Sequence, residues 1–292
     1  MQWFSVVAGV LLIGASLVDV FQRLIHPGGR GSIGARVVRV PWALSRGVRG
    51  KPSLLAGPLG LVLVIGVWVL LQLAGWMLVY LPFVPAGFTY SPGIDPTRYW
   101  APAEALYISL VTLGTLGFGD VVPTVEWLRI LGPLQALTGF ILLTGAISWF
   151  MQIYPALARV RTLALRLSHF AGAGFARELS VNDGSVNAQV VHDLASQLAQ
   201  VRVDLGQNAE IYYFVERDPD LSLPLALRRA KHLAHDAQDV DDTTLVTAGR
   251  VLERTVEDAA SLVREQYLPR VPDDTSSIIE AALADQGSTR NV

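Results

Sequence analysis

The chain has no cysteine, and it has little charge. Only 16% of its 292 residues are Asp, Glu, Lys or Arg, whereas soluble domains carry about 25%. Without cysteine, the chain can form no disulfide framework, no thiolate metal site and no catalytic thiol. Its formal net charge of −2 also lacks the basic excess that a general nucleic-acid binder needs. No nucleic-acid partner is therefore expected.

The charge that is present is distributed unevenly along the chain. Residues 1–155 contain 14 charged residues, and residues 156–292 contain 34. The first part suits a medium of low dielectric constant, and the second part suits water. The sequence therefore predicts a membrane-embedded part that is followed by a soluble C-terminal domain.

Three stretches are apolar and long enough to cross a bilayer as helices, which takes about 20 residues. They cover residues 3–25, 54–81 and 127–154. The first resembles a secretory signal peptide in position, but residues 1–18 carry no positive charge and no small-residue cleavage site, so a retained helix is expected. The apolar segment 103–113 is too short to span and is predicted to be a re-entrant helix buried within protein.

The basic residues predict how these spans are oriented. The segment 26–53 has no acidic residue and six basic ones, namely Arg30, Arg36, Arg39, Arg46, Arg49 and Lys51. By the positive-inside rule this segment is cytoplasmic, which places the N-terminus outside and residues 156–292 in the cytoplasm. Apolar residues alternate with the arginines, so the segment is either a helix lying on anionic lipid or a linker that only sets the topology.

A glycine-rich motif follows the predicted re-entrant helix. Its residues are Thr115, Leu116, Gly117, Phe118, Gly119 and Asp120. The motif resembles the selectivity filter of the potassium channel superfamily, in the bacterial form with two membrane helices and a pore loop. The resemblance covers residues 54–155. It departs from the family pattern at Leu116, where valine is usual, and at Phe118, where tyrosine is usual.

The resemblance implies that this loop coordinates potassium. Dehydrated K⁺ needs about eight oxygens in place of its water shell, and backbone carbonyls can supply them. Glycine at two positions permits the backbone angles that aim successive carbonyls in one direction. The ion-binding residues are then expected to be Thr115, Leu116, Gly117, Phe118 and Gly119.

Two further side chains are expected to support the loop from behind. Phe118 is expected to turn away from the pore and pack there. Asp120 is expected to need a hydrogen-bond donor, because Val111 stands where some relatives have a glutamate. Tyr107 or a water molecule is the expected donor. A plain glycine-rich turn between two membrane helices is the alternative interpretation of the whole motif.

One chain supplies one strand of such a filter. Sites with eight oxygens on an axis need four strands, so the resemblance implies a homotetramer that passes K⁺ passively, without a cofactor, across a bacterial inner (plasma) membrane. Two rival interpretations remain open: a weakly selective cation channel, because of Leu116, and a non-conducting, membrane-anchored helical protein for signalling or scaffolding. No nucleophile elbow, metal cluster or phosphate loop is recognisable, so an enzyme is not expected.

The third span carries the expected gate. Apolar residues recur every three or four positions on one helix face: Phe140, Leu143, Ile147 and Met151. By similarity to the family's inner helix, this face lines the pore, and a ring of such side chains can block conduction by dewetting. The narrowest ring is expected at Ile147 or Met151. Gly139 is either the family's hinge glycine or a close-packing residue, and Pro155 is expected to end the regular helix.

Together these features predict an all-α membrane protein. Its expected parts are an N-terminal transmembrane helix (1–25), a basic cytoplasmic loop (26–53), an ion-channel pore domain with two transmembrane helices and a re-entrant pore helix (54–155), and a cytoplasmic helical domain (156–292). In the last part, apolar residues at helical spacing predict helices over 185–206, 223–238 and 243–269. Residues after Ser276 show little pattern and are expected to fray.

Overall fold

The computed structural model describes residues 2–24, 32–49, 52–181 and 184–287. In these ranges the chain is largely helical, with two short strands, so the predicted all-α membrane fold is confirmed. The helices are α1 (Gln2–Leu24), α2 (Ser32–Arg49), α3 (Ala56–Tyr80), α4 (Ala101–Leu113), α5 (Glu126–Ala173), α6 (Phe175–Glu178), α7 (Gly184–Gln207), α8 (Leu223–Gln238), α9 (Thr243–Tyr267) and α10 (Thr275–Gln286). The strands are β1 (Phe88–Tyr90) and β2 (Val121–Pro123).

Three of these helices, α1, α3 and α5, are long and apolar enough to cross a membrane. The chain divides into two compact units, one made of Met1–Val37 with Leu61–Met151 and the other of Val38–Gly60 with Gln152–Val292. The first unit is called the membrane unit below, and the second is called the tail unit.

Helix α5 is longer than the sequence predicted. It runs for 48 residues and continues past Pro155, so the prediction that Pro155 ends the regular helix is wrong. A proline inside a helix removes one backbone hydrogen bond. Here the helix continues because an apolar stripe on the next turns is fully buried in the core of the tail unit, at Ile153, Ala156, Leu157 and Val160. Burial of these side chains offsets the cost of the proline.

Small residues let α1 approach α3 in the membrane unit. A Cβ atom added at Gly9 would lie 2.5 Å from the carbonyl oxygen of Gly75, so the two backbones are in direct contact. Membrane helices commonly pack in this way, because lipid provides no hydrophobic force that would bring larger side chains together.

The two strands connect the segments before and after α4. They pair antiparallel, with Phe88 opposite Pro123 and Tyr90 opposite Val121. Phe88 packs beside Trp76 and Tyr80 of α3 in a buried aromatic cluster. The chain on both sides of the 115–120 loop is therefore held by the same small sheet.

The basic segment contains a helix, α2, and a helix was one of the two alternatives that the sequence left open for this segment. In the tail unit, Trp42 contacts the rings of Tyr212 and Tyr213, and Arg46 forms an ion pair with Asp285. The guanidinium of Arg39 donates to the Gln266 carbonyl oxygen at 3.4 Å. This part of α2 is thus docked on the C-terminal helices. Arg30 and Lys51, and the side chain of Arg49, lie outside the described residues.

The tail unit contains a C-terminal helix, α10, that the sequence did not predict. Residues expected to fray after Ser276 instead form α10, so that prediction is wrong. The Asp274 side chain caps the helix by accepting a hydrogen bond from the Ser277 backbone at 2.8 Å. The helix is held because four apolar side chains are buried: Ile278, Ile279, Ala282 and Leu283.

Candidate functional site

Helix α4 leads directly into the 115–120 loop in the membrane unit. Its 13 residues rise about 20 Å, which is less than the thickness of a bilayer core. Gly114 caps the helix, and the last turn is closed by hydrogen bonds from Thr115 N to Thr112 O (3.0 Å) and from Leu116 N to Val111 O (2.9 Å). The loop therefore begins directly at the carboxyl end of the helix, where the helix dipole is negative and favours a cation.

The backbone of this loop alternates in handedness. The φ angle is positive at Thr115 (55°), Gly117 (55°) and Gly119 (76°), and it is not positive at Leu116 or Phe118. An alternation in the sign of φ, which glycine permits, can turn successive peptide groups toward a common side, as a row of carbonyl ligands requires. Thr115 is the only described non-glycine residue with a positive φ angle, a conformation that is uncommon outside glycine.

The carbonyl oxygens of the loop are outside the backbone hydrogen bonding of the described part of the chain. Among the described residues, no backbone hydrogen bond is accepted by the carbonyls of residues 115–119. The side chains of Leu116 and Phe118 are 59% and 65% exposed. Phe118 therefore does not pack behind the loop within its own chain, contrary to expectation. The loop presents free oxygen ligands on a surface that the single chain leaves open.

A hydrogen bond anchors the outer end of the loop. The Tyr107 hydroxyl donates to Asp120 Oδ2 at 2.5 Å, and the Ser91 backbone donates to the Asp120 carbonyl oxygen at 2.8 Å. Asp120 is thus joined both to α4 and to the segment that follows β1. Tyr107 stands one turn after Glu104 in α4.

Glu104 is a residue that the sequence reasoning missed. It is buried in α4 and lies close enough to Asp120 for the two carboxyl groups to interact. Both groups line a cavity of about 350 Å³ behind the loop, together with Tyr99 and Trp100. An acidic residue at the start of an apolar segment was a usable signal, because such residues are rare at membrane depth without a function.

Gly139 lies where α5 meets the end of α4. A Cβ atom there would stand 2.1 Å from the carbonyl oxygen of Leu113, so a glycine is needed for the close approach. The contact favours close packing over a hinge as the reason for this glycine. Below Thr115, a second cavity of about 350 Å³ is lined by apolar side chains that include Leu110, Phe140 and Leu143.

The four residues expected to form the gate share an exposed face of α5. Phe140, Leu143, Ile147 and Met151 are each more than half exposed. Phe140 and Leu143 also line the apolar cavity that extends to Val69 and Leu73 of α3. An apolar face of this length is left uncovered by the single chain.

A buried polar network joins α4 to both neighbouring membrane helices, and the sequence reasoning missed it. Gln135 of α5 accepts from the Tyr80 hydroxyl at 2.7 Å and donates to the carbonyl and hydroxyl oxygens of Ser109 at 3.0 and 3.1 Å. Ser109 donates onward to the Leu73 carbonyl oxygen at 3.1 Å. The sequence signal for this network was a glutamine inside an apolar span, because polar side chains in membrane helices commonly form hydrogen bonds to neighbouring helices.

Two long apolar helices, α3 and α5, flank the short helix α4 and the 115–120 loop. Residues 66–154 match the sequence model of a family described as "Ion channel". The match covers this segment of the chain, and it confirms at the level of that description the resemblance found from the 115–120 motif. An ion channel is not an enzyme class, and the family match points to a non-enzyme.

A further relative is a membrane protein of Bacillus subtilis (strain 168), YdjJ, which is described as uncharacterized. It is 23% identical over 206 residues, which are 69% of this chain and 58% of the relative. This chain therefore spans less than two thirds of that relative. No solved structure matches the chain.

Proposed function

We propose that the chain forms a homotetrameric channel that is selective for K⁺ and conducts it passively. The observation that carries the proposal is the alternating sign of the φ angle along residues 115–119, whose carbonyl oxygens accept no backbone hydrogen bond from the described residues. The ligands would be the Thr115 hydroxyl and the carbonyls of Thr115, Leu116, Gly117 and Phe118, with Gly119 allowing the turn at the outer end. Backbone carbonyls of this kind replace the hydration shell of K⁺.

Four copies of the chain would complete the site. Non-helical backbone is tolerated at membrane depth only where protein buries it or where it lines a water-filled cavity. In the single chain, the loop and the apolar face from Phe140 to Met151 are both exposed. Closed fourfold symmetry would place four loops around one axis and four such faces around the cavity below them.

Other side chains would act in support of this pore. Asp120, held by Tyr107 and lying near Glu104, would fix the outer end of the loop. Ile147 or Met151 would form the narrowest apolar ring, which closes the pore by dewetting. The membrane would be a bacterial plasma membrane, with the N-terminus outside and the C-terminal helices in the cytoplasm, as the basic segments require.

Anionic lipid is a proposed partner of α2. Arg39 and Arg46 are engaged by the tail unit, whereas the exposed Arg36 is oriented by no such contact among those described. Lipid headgroups would then bind fewer of the arginines than the sequence pattern alone implied.

Ion flux separates this proposal from its rivals. The full chain is reconstituted in liposomes, and K⁺ and Na⁺ fluxes are compared with and without Ba²⁺ as blocker. The proposal predicts K⁺ flux well above Na⁺ flux, with inhibition by Ba²⁺. Equal fluxes would identify a weakly selective cation channel, and no flux of either ion would identify a non-conducting scaffold.

A further inference from the structure

Helix α1 contains a buried carboxylate. Asp19 is 3% exposed and lies in a helix that is apolar enough to span a membrane. Charged side chains in such helices are costly, and they are typically retained where they serve a function. No part of the proposed conduction pathway uses Asp19, so its contacts indicate what it does.

Asp19 holds two other helices of the membrane unit. Its Oδ2 atom accepts a hydrogen bond from the Trp68 indole of α3 at 2.9 Å. The first turn of α2 donates to the same carboxylate, from Ile33 N at 2.9 Å and from Gly34 N at 3.3 Å. Ser16, one turn earlier, donates to the Trp68 carbonyl oxygen at 3.3 Å. Both the side chain and the backbone of Trp68 are therefore bonded to α1.

Trp68 in turn contacts the pore-lining helix. Its ring lies 5.5 Å from the ring of Trp149 in α5, and both side chains are buried. Arg23, one turn after Asp19, places its guanidinium 5.2 Å from the centre of the Trp149 ring. Trp149 is thus contacted by α1 directly, through Arg23, and indirectly, through Asp19 and Trp68.

Trp149 stands at the level of the expected gate. It is two residues from Ile147 and two residues from Met151, and a helix turns about 100° per residue. Its side chain therefore points away from the face that carries Ile147 and Met151, which agrees with its burial and their exposure. A displacement of Trp149 would move that face as well, because the helix is continuous through this region.

We propose that Asp19 and Trp68 are positioning residues that couple the helix pair α1–α2 to the pore-lining face of α5. The inference rests on the proposed function, which makes that face the gate. In this arrangement, the position of α1 and of the first turn of α2 sets the conformational equilibrium of the gate through Trp149. The extra N-terminal membrane helix is then a regulatory element of the pore rather than an anchor only.

The test removes the link while leaving the packing in place. Trp68→Phe keeps an aromatic ring against Trp149 and loses the indole donor with part of the ring volume, a loss that the control shares, and Asp19→Asn keeps the shape of the side chain and loses its charge. Trp76→Phe is the matched control, because the Trp76 indole donates within α3, to Gln72 at 3.2 Å. Each change is made in the full chain together with Ile147→Cys, since no native cysteine competes.

Two quantities are measured in liposomes: the rate at which a water-soluble thiol reagent labels position 147, and the K⁺ flux of the parent variants. Trp68→Phe and Asp19→Asn should each change the labelling rate by about three-fold or more, a usual size for coupling through packed networks. The change in the double variant should be smaller than the two single changes combined, because both substitutions weaken the same Asp19–Trp68 bond. Trp76→Phe should label at the unsubstituted rate, and the ratio of K⁺ to Na⁺ flux should stay constant in all variants.

Labelling rates of Trp68→Phe that equal those of the unsubstituted chain, in protein that assembles normally, would overturn the coupling. An equal change in Trp76→Phe would do so as well, because it would show a general loosening of α3. If the Asp19→Asn variant does not assemble, the labelling rate of the Trp68→Phe variant alone tests the proposed coupling. Labelling does not depend on conduction, so absence of K⁺ flux from the unsubstituted chain would contradict the proposed function and leave this comparison valid.

Discussion

Glycine serves two different purposes at the scale of single residues in the membrane unit. Gly117 and Gly119 adopt positive φ angles with open space around them, so glycine is needed there for its backbone conformation. Gly139 lies against the Leu113 carbonyl, so glycine is needed there because a side chain would not fit. The sequence motif revealed the first purpose. The motif did not show whether Gly139 is needed for close packing, because the spacing of residues along a chain does not show which atoms lie next to a residue in the fold.

Gly139→Ala should destabilise the contact between α4 and α5. The added Cβ would stand 2.1 Å from a backbone oxygen, which cannot rotate away as a flexible side chain can. We expect a loss of about 1–3 kcal/mol, the usual cost of overpacking, measured as thermal unfolding of the detergent-solubilised protein. Gly66→Ala is the control, because a Cβ there meets no atom within 4 Å. Equal stability of the two variants would show that α5 does not approach α4 this closely.

At the scale of helices, the pore helix is held by polar bonds as well as by apolar packing. Gln135→Leu should remove the bonds to Tyr80 and Ser109 and leave the buried Tyr80 hydroxyl without its acceptor. The expected cost is about 1–3 kcal/mol for each group left unsatisfied, measured by thermal unfolding. Thr138→Val is the control, because Thr138 bonds only within α5, to the Gln135 carbonyl. A Gln135→Leu variant as stable as this control would contradict a structural role for the network.

The docking of α2 on α10 should depend on pH through Asp285. Burial raises the pKa of the Asp285 carboxyl above its ordinary value, although bonds from Tyr212, Arg46 and Trp42 oppose the shift. A carboxyl whose pKa is raised on folding contributes stability that is fully present below its ordinary pKa. That contribution is lost as the pH rises through the raised pKa.

The Asp285→Asn side chain cannot ionise, so the stability of this variant should not fall as the pH rises through the raised pKa of Asp285. The melting temperature of the unsubstituted chain should therefore fall relative to that of Asp285→Asn as the pH rises from about 4 to about 7. Asp273→Asn is the control, because Asp273 carries an exposed carboxylate on the same C-terminal segment. A melting difference between the chain and Asp285→Asn that does not change with pH would refute the raised pKa.

Helices with a clear apolar period were predictable from the sequence, and helices fixed by tertiary contacts were not. The three spans and α7, α8 and α9 follow from periodicity alone. The continuation of α5 past Pro155 depends on burial against other helices, and burial is not visible in a local pattern. The same holds for α10 and for the docking of Trp42, whose partners are distant in sequence.

At the scale of the whole molecule, one chain leaves its functional surfaces uncovered. The 115–120 loop and the face from Phe140 to Met151 are exposed, and a filter needs four loops around one axis. The motif supplied the loop residues, whereas their assembly follows from symmetry. Glu104 and Gln135 lie outside the 115–120 motif, so the resemblance based on that motif did not identify them.

The full chain should therefore be a tetramer. Its mass is 31.6 kDa, so native mass measurement in detergent or cross-linking in membranes should give the mass of four chains. The proposed filter needs four loops around one axis, so only the assembled tetramer should conduct ions. A population made up only of monomers and dimers would refute the proposed pore.

The most direct test of the central claim measures K⁺ and Na⁺ fluxes through liposomes that contain Gly117→Ala. Alanine at a φ angle of 55° is disfavoured by about 1–2 kcal/mol per residue, so the carbonyls should lose their common direction. Gly66→Ala carries the same substitution at an open helix position and should keep the fluxes of the unsubstituted chain. The account predicts that selective K⁺ flux is abolished in Gly117→Ala. Unchanged K⁺ selectivity in that variant would contradict it.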